Sequence, residues 1–199
     1  AVGSLKEELA PGDLVVTSQY IDRTKGVRSP SFLGKGLVGH VSLAKPTWIG
    51  GANKVRELVS KNAFDFKVHF DKTYICIEGP YFSTQAESNS YRQMGADIIG
   101  MTNFPEFALA REAGMSYLPC CFVTDYDCWD DKIEHVTLQL VLETMKQNNK
   151  KAVRVIAELL KVDPKEDEAC REGGLKNSLM TPSSAIDSKT RAWLETVLS

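Results

Sequence analysis

The sequence predicts an α/β fold in which a mixed, twisted central sheet is flanked by helices. Short apolar runs rich in β-branched residues alternate with helical patterns, and turn residues separate the two. The chain has 199 residues, 43% of them hydrophobic, and a formal net charge of −2. A chain of this size can bury a sizeable core. We therefore expect one globular domain over residues 1–199.

Four apolar runs are predicted to be strands, at residues 14–17, 73–77, 98–99 and 115–124. Helices are predicted between them, at residues 53–62, 85–95 and 105–114. A capping box, Thr84-Gln85-Ala86-Glu87, opens the second of these helices. Ser4-Leu5-Lys6-Glu7 has the same pattern, so it predicts a one-turn helix that ends at Pro11.

Apolar residues at helical spacing continue after Trp129. They predict a helix up to Met145 and another that contains Val153, Ile156, Leu159 and Leu160, with both stripes facing the core. Asn148-Asn149 is expected to break the pattern between them. Residues 186–198 are predicted to close the chain with a short amphipathic helix.

Composition excludes several classes of function. Lys and Arg are dispersed, so no nucleic-acid surface is expected, and no apolar run reaches the roughly 20 residues that span a bilayer. The five cysteines show no C-x-x-C spacing and are interpreted as reduced thiols rather than disulfides or zinc ligands. Residues 34–39 match G-x-G-x-x-G but lack the strand and helix that a dinucleotide site requires. A cytoplasmic protein without a metal is therefore expected.

Two carboxylates, Asp125 and Asp127, follow the last predicted strand. Residues i and i+2 of a strand point to the same face, so both would project from its carboxyl end, where open α/β sheets bind ligands. Paired acceptors suit a flat ligand with adjacent N–H donors, such as one edge of an aminopurine. An isolated D-x-D is equally typical of an exposed acidic turn.

Two further turns are expected at the same sheet edge. Residues 79–84 contribute the aromatic side chain of Phe82, and residues 100–106 contribute Met101 and Thr102. Each turn precedes a predicted helix, whose N-terminus suits an anion such as phosphate. An aromatic ring, a thioether and two paired carboxylate acceptors together favour a nucleoside ligand.

The motifs at residues 78–83, 86–88, 95–97, 101–106 and 124–129 closely resemble 5'-methylthioadenosine phosphorylases, members of the trimeric purine nucleoside phosphorylase family. The resemblance extends from Ala1 to at least Leu142. It implies a nucleoside phosphorylase-like fold that lacks its N-terminal strands. In this family the phosphate site also uses an early glycine-rich loop, an Arg-His pair and a Thr that are not in this sequence. We therefore expect a domain that is incomplete at its N-terminus and impaired in activity.

The resemblance also implies roles for individual residues. It assigns substrate binding to Phe82, Ser83, Met101, Asp125, Tyr126, Asp127, Leu138, Val141 and Leu142. Ala1 and Thr102 would contact phosphate, and Asp125 would be the catalytic residue that protonates the leaving base. Ser83 and Asp125 stand where relatives specific for 6-oxopurines carry glutamate and asparagine, which favours adenine. Leu138 would line the pocket of the 5'-alkylthio group and, with Ser83, set specificity.

Other implied roles concern the assembly. His40 would enter the pocket of a neighbouring subunit. A surface histidine in a loop would look the same in sequence. Residues 175–181 resemble a segment that reaches the adjoining site. The implied protein is a homotrimeric pentosyltransferase of purine and methionine salvage, located in the cytoplasm and also in the nucleus. It would need inorganic phosphate as co-substrate and no cofactor.

The implied reaction is phosphorolysis of S-methyl-5'-thioadenosine to adenine and 5-methylthioribose 1-phosphate. Two alternatives stay open. One is a purine nucleoside or methylthioinosine phosphorylase that acts on 6-oxopurines. The other is a non-catalytic fragment that binds nucleosides or forms trimers.

Overall fold

The described part of the chain contains five strands that close into a small barrel, together with five helices. The structure is a computed structural model, and it describes residues 1–34, 36–61, 64–130, 137–161, 170 and 173–198. The strands are β1 (Val2–Ser4), β2 (Leu14–Arg23), β3 (Val68–Ile77), β4 (Ile98–Gly100) and β5 (Cys120–Tyr126). The helices are α1 (Ile49–Ser60), α2 (Gln85–Gln93), α3 (Asn103–Glu112), α4 (Leu138–Leu159) and α5 (Ser188–Leu198).

The strand order around the barrel is β1-β4-β3-β2-β5. β3 runs parallel to both β2 and β4, whereas β5 runs antiparallel to β2. β1 closes the barrel because it pairs in parallel with β5 and antiparallel with β4. The predicted mixed sheet flanked by helices is confirmed, and the described residues show that it closes on itself.

Every strand contributes to one apolar cluster, which therefore fills the barrel interior. It consists of Val2, Leu9, Val15, Tyr74, Cys76, Ile98, Cys121 and Val123. The alternation of strand side chains explains the set, since residues two apart share a face. Two of the members are thiols, and all five cysteines are free, as the sequence predicts.

The two capping-box patterns have different outcomes. Thr84 caps α2 as predicted: Thr84 Oγ1 accepts from the Glu87 N–H at 3.2 Å, and the Thr84 N–H donates to Glu87 Oε2 at 2.8 Å. The predicted one-turn helix after Ser4 is wrong. Ser4 ends β1, fully buried, and its hydroxyl donates to the Lys6 carbonyl at 2.7 Å.

The predicted break at Asn148-Asn149 is also wrong, because α4 continues through both residues. Asn148 is buried, and its amide donates to the Val123 carbonyl of β5 at 2.9 Å, so it anchors the helix to the barrel. Only part of the second predicted stripe faces the core. Leu159 packs against the cluster of Leu14, Phe122 and Val155, whereas Val153, Ile156 and Leu160 are exposed.

The remaining predicted elements are present, but some bounds differ. β5 begins at Cys120 rather than at Met115, and β2 and β3 are longer than predicted. The G-x-G-x-x-G segment forms no helix at its described positions, and Gly39 makes an isolated β-bridge to Leu179. Within the described residues, no helix combines the length and the apolar character that crossing a membrane would require.

Candidate active site

A cavity of about 190 Å³ collects most of the residues that the sequence singles out. Its walls are formed by Ala1, Val2, Gly3, Ile77, Phe82, Ser83, Ile99, Gly100, Met101, Thr102, Thr124, Asp125, Asp127 and Val141. The three predicted turns therefore meet at one place. A neighbouring, more polar hollow of about 340 Å³ shares Phe82 and Ser83 with it. The smaller cavity is the candidate site because it alone contains the two buried carboxyl groups.

The three turns were expected to meet because they share the carboxyl edge of one sheet, but the structure brings them together in another way. β5 runs antiparallel to β2 and hence to β3 and β4, so its end does not belong to their carboxyl edge. The strand β1 makes the connection instead. Gly3 pairs with Ile99 of β4 on one side and with Asp125 of β5 on the other. This strand brings the acidic segment beside the turn that carries Met101.

Gly3 is suited to that position because it has no side chain. A Cβ atom there would lie 3.1 Å from Ile99 Cγ2 and 3.2 Å from Asp125 Oδ1, closer than nearly all real contacts. Any larger residue would displace the carboxyl group of Asp125. The cavity floor therefore depends on a glycine that the sequence pattern did not single out.

Asp125 and Asp127 are almost completely buried, at 8% and 5% exposure. The Thr124 hydroxyl lies 2.6 Å from Asp125 Oδ2, and the Ser88 hydroxyl donates to Asp127 Oδ2 at 2.6 Å. Burial raises the pKa of both carboxyl groups, and the hydroxyl partners partly oppose that rise. The site can thus hold a proton that an exposed aspartate would lose.

Tyr126 lies between the two aspartates but faces away from the cavity. Its hydroxyl donates to the Glu7 carbonyl at 3.2 Å, and its ring packs against the cluster that contains Trp129. Its side chain therefore does not line the cavity, because alternate strand residues face opposite sides. Trp129 supports the acidic turn by donating from Nε1 to the Ser4 carbonyl at 3.0 Å.

Phe82 and Met101 form the apolar walls. The Phe82 ring is 57% exposed, which leaves its face accessible to a flat ligand. The Met101 side chain lies against Gly79, because a Cβ atom on Gly79 would lie 2.6 Å from the Met101 sulfur. Gly79 also has a φ of +76°, which favours glycine. Ser83 lies beside Phe82, and its carbonyl accepts from the Cys128 thiol at 3.1 Å.

Ala1 and Thr102 also line the cavity, and Thr102 directly precedes α3. The start of α3 is irregular, because Phe104 is non-helical and its N–H donates to Cys76 Sγ at 3.3 Å. Pro105, the next residue, has no N–H. The phosphate contacts that the resemblance assigns to Ala1 and Thr102 therefore stay a prediction.

Besides Tyr126, three predicted residues lie outside the cavity. Leu138 and Leu142 of α4 are exposed at 69% and 54%, and only Val141, between them in sequence, reaches the wall. His40 is exposed in a segment that pairs with residues 178–181. Within the described residues, no cluster of His, Cys, Asp or Glu could hold a metal ion.

Two residues with a clear part in the site were given no role from sequence. Ser88 lies within one of the motifs that carry the resemblance, and Thr124 directly precedes Asp125. The sequence feature that could have identified them is a small side chain with a hydroxyl group, close in sequence to a binding motif. Such residues are common, so only the fold identifies their partners.

The family model of the phosphorylase superfamily matches residues 1–161. The chain belongs to the phosphorylase superfamily. The S-methyl-5'-thioadenosine phosphorylase of Thermosynechococcus vestitus is 40% identical over 203 residues, an alignment that covers 100% of this chain and 69% of the relative.

Solved structures of the superfamily agree with the fold. A methylthioadenosine phosphorylase sourced from an antarctic soil metagenomic library has a TM-score of 0.88 and 40% identity, covering 100% of this chain and 69% of that chain. The methylthioadenosine phosphorylase from Schistosoma mansoni in complex with adenine has a TM-score of 0.81 and 32% identity, covering 90% and 70%. This superfamily member thus spans about seven tenths of each of these proteins.

The raised pKa of Asp125 predicts how stability depends on pH. The ordinary pKa of an aspartate, 3.8, applies to Asp125 in the unfolded chain, and the pKa in the folded chain is higher. The protonated carboxyl group therefore stabilises the fold below pH 3.8. This stabilisation is lost as pH rises through the folded pKa. Asp125→Asn keeps an acceptor for Thr124 but removes this titration. We expect the variant to gain stability relative to the wild type as pH rises from 3.5 to 7.5 in urea unfolding.

Asp187→Asn is the matched control. Thr190 donates to this exposed carboxylate from its hydroxyl and its N–H, which lowers the pKa of Asp187. Its stabilising contribution is present at high pH and is lost as pH falls, so the Asp187→Asn variant should lose stability relative to the wild type as pH rises. The account of Asp125 would be wrong if both variants followed the same trend.

Proposed function

We propose that this chain supplies the nucleoside site of a phosphorylase that converts S-methyl-5'-thioadenosine and phosphate to adenine and 5-methylthioribose 1-phosphate. The observation that carries the proposal is the pair of buried carboxyl groups, Asp125 and Asp127, in one cavity with Phe82 and Met101. The names of the relatives and the adenine bound to the Schistosoma mansoni protein support the choice of substrate. The products would return to purine and methionine salvage.

The part of the cavity beside Asp125 and Asp127, here called the base end, suits a 6-aminopurine. The amino group of adenine offers N–H donors, and aspartate oxygens are acceptors. Hypoxanthine instead presents an oxygen at this position, which a carboxylate would repel. Ser83, beside Phe82 in the same wall, is short and leaves space for the amino group.

Asp125 suits the chemistry of the leaving base. When the N-glycosidic bond breaks, negative charge develops on the purine and positive charge on the ribose. A proton donor near N7 stabilises the departing base. Burial raises the pKa of Asp125, so this carboxyl group holds a proton more readily than an exposed aspartate does.

The resemblance assigns the phosphate nucleophile to Ala1 and Thr102, and both residues line the cavity. Bound phosphate would attack the anomeric carbon and balance the positive charge on the ribose. Met101, another lining residue, would contact the sugar.

Calorimetry on this chain tests the base site. We expect adenine to bind at least tenfold more tightly than hypoxanthine. Asp127→Asn should weaken adenine binding by about 10- to 100-fold, because a charged acceptor contributes roughly 1.5–3 kcal/mol. Asp187→Asn, the same change at an exposed carboxylate outside the cavity, should leave the affinity unchanged.

The other results identify the alternatives. Tighter binding of hypoxanthine would support a phosphorylase of 6-oxopurines and would contradict the proposed substrate. Adenine release from methylthioadenosine is measured in parallel, with and without phosphate. Binding of adenine without any phosphate-dependent release would support the non-catalytic alternative.

We further propose that the protein acts as a homotrimer in which a neighbouring copy completes the site. Two segments form one exposed unit, the paired segment, which consists of residues 38–40 and 178–181. The Met180 N–H donates to the Val38 carbonyl at 2.8 Å, and the His40 N–H donates to the Ser178 carbonyl at 3.1 Å. The segments that the resemblance assigns to the adjoining pocket are therefore joined to each other.

Exposed apolar surface supports this assembly. Met180 is 65% exposed and Val38 50% exposed in the paired segment. On α4, Leu138 and Leu142 are exposed on either side of the cavity-lining Val141. A paired segment from a neighbouring copy would cover these leucines and complete an apolar pocket for the methylthio group.

Sedimentation analysis tests the assembly. Met180→Asp places a charge in the paired segment, so we expect trimers to dissociate and affinity for methylthioadenosine to fall at least tenfold. Affinity for adenine should persist because the base end lies within one chain. Met94→Asp changes a methionine that is 45% exposed outside this segment and serves as the control. A wild-type monomer, or a Met180→Asp trimer with unchanged affinity, would contradict the proposal.

A further inference from the structure

The Thr124 hydroxyl lies between two acceptors. Thr124 Oγ1 is 2.6 Å from Asp125 Oδ2 and 3.2 Å from the Val2 carbonyl oxygen. Thr124 is buried, at 3% exposure, so water has little access to the hydroxyl. A hydroxyl group carries one hydrogen and can donate to only one of these partners at a time.

The two possible donors define two states of the site. When Asp125 is ionised, Thr124 donates to Asp125 Oδ2. When Asp125 carries a proton on Oδ2, the carboxyl O–H donates to Thr124 Oγ1, and the Thr124 hydrogen turns to the Val2 carbonyl. Both states keep the carboxyl group hydrogen-bonded, which matters because an unpaired buried polar group is costly.

We propose that Thr124 is a positioning residue that lets Asp125 exchange a proton within the closed site, by turning its hydroxyl between Asp125 and Val2. This inference rests on the proposed phosphorolysis. It goes further by naming the residue that supports both forms of the catalytic carboxyl group.

The proton transfer is balanced as follows. As the C1'–N9 bond breaks, its electron pair passes to the purine, and the Asp125 proton passes to N7. A phosphate oxygen forms the new bond to C1'. Asp125 becomes a carboxylate, and the Thr124 hydrogen turns from the Val2 carbonyl to Asp125 Oδ2. After adenine leaves, Asp125 takes up a proton from water, which restores its protonated state, and the phosphate ester formed from hydrogen phosphate releases one proton to water.

The surroundings of Asp125 include other charges. The Asp127 carboxylate, directly after β5, raises the Asp125 pKa. Glu87 of α2 acts on Asp127 rather than directly on Asp125. The second acceptor of Thr124 belongs to Val2, which also lines the cavity.

Two variants separate this role from simple packing. Thr124→Val keeps the shape of the side chain but removes the hydroxyl, whereas Thr124→Ser keeps the hydroxyl. With methylthioadenosine at saturating phosphate, we expect Thr124→Val to lower kcat at least tenfold with KM changed less than threefold. The alkaline limb of the rate profile should move to higher pH, because the carboxylate loses a donor. Thr124→Ser should restore both.

A carbon-13 NMR titration of the Asp125 carboxyl group decides the proposal without turnover. The pKa of Asp125 should be higher in Thr124→Val than in the wild type, and Thr124→Ser should match the wild type. Equal pKa values and rates in Thr124→Val and the wild type would overturn the inference, as would failure of Thr124→Ser to restore them. If the wild type released no adenine, the proposed reaction would fail, and the titration would still decide the role of Thr124.

Discussion

The site depends on the short strand β1, which holds β4 and β5 side by side. Its central residue, Gly3, pairs with Ile99 and with Asp125, and this pairing places the acidic segment next to the turn of Met101. Without β1 the antiparallel direction of β5 would leave these groups in separate parts of the molecule. The absence of a side chain at Gly3 is equally necessary, because Asp125 Oδ1 occupies the adjacent space.

Burial of two carboxyl groups is the main electrostatic feature of the cavity. Isolated charges in such a place would be strongly unfavourable, and the structure provides each aspartate with a nearby hydroxyl. Ser88 comes from α2, whereas Thr124 belongs to the same strand as Asp125. The two carboxyl groups therefore have different surroundings, which permits one to act as an acceptor and the other to carry a proton.

Local patterns predicted the elements whose stabilising contacts are local. The capping box at Thr84 is satisfied within α2, so its sequence signal was sufficient. The same pattern at Ser4 failed because β1 is held by long-range pairing with β4 and β5, which no local motif reveals. Asn148 looked like a helix breaker for a similar reason, since its partner is the Val123 carbonyl on another element. Most site residues were predicted through the family motifs, whereas Thr124 and Ser88 needed the fold.

A crystal structure of this chain with adenine bound would show directly whether Asp125 and Asp127 bind the base. We expect the purine ring to lie against Phe82. Its 6-amino and N7 edge should lie within hydrogen-bonding distance, about 2.7–3.2 Å, of the carboxyl groups of Asp125 and Asp127. Thr124 and Ser88 should keep their contacts to these groups. Adenine bound outside the cavity, or with its amino edge turned away from both aspartates, would contradict the account.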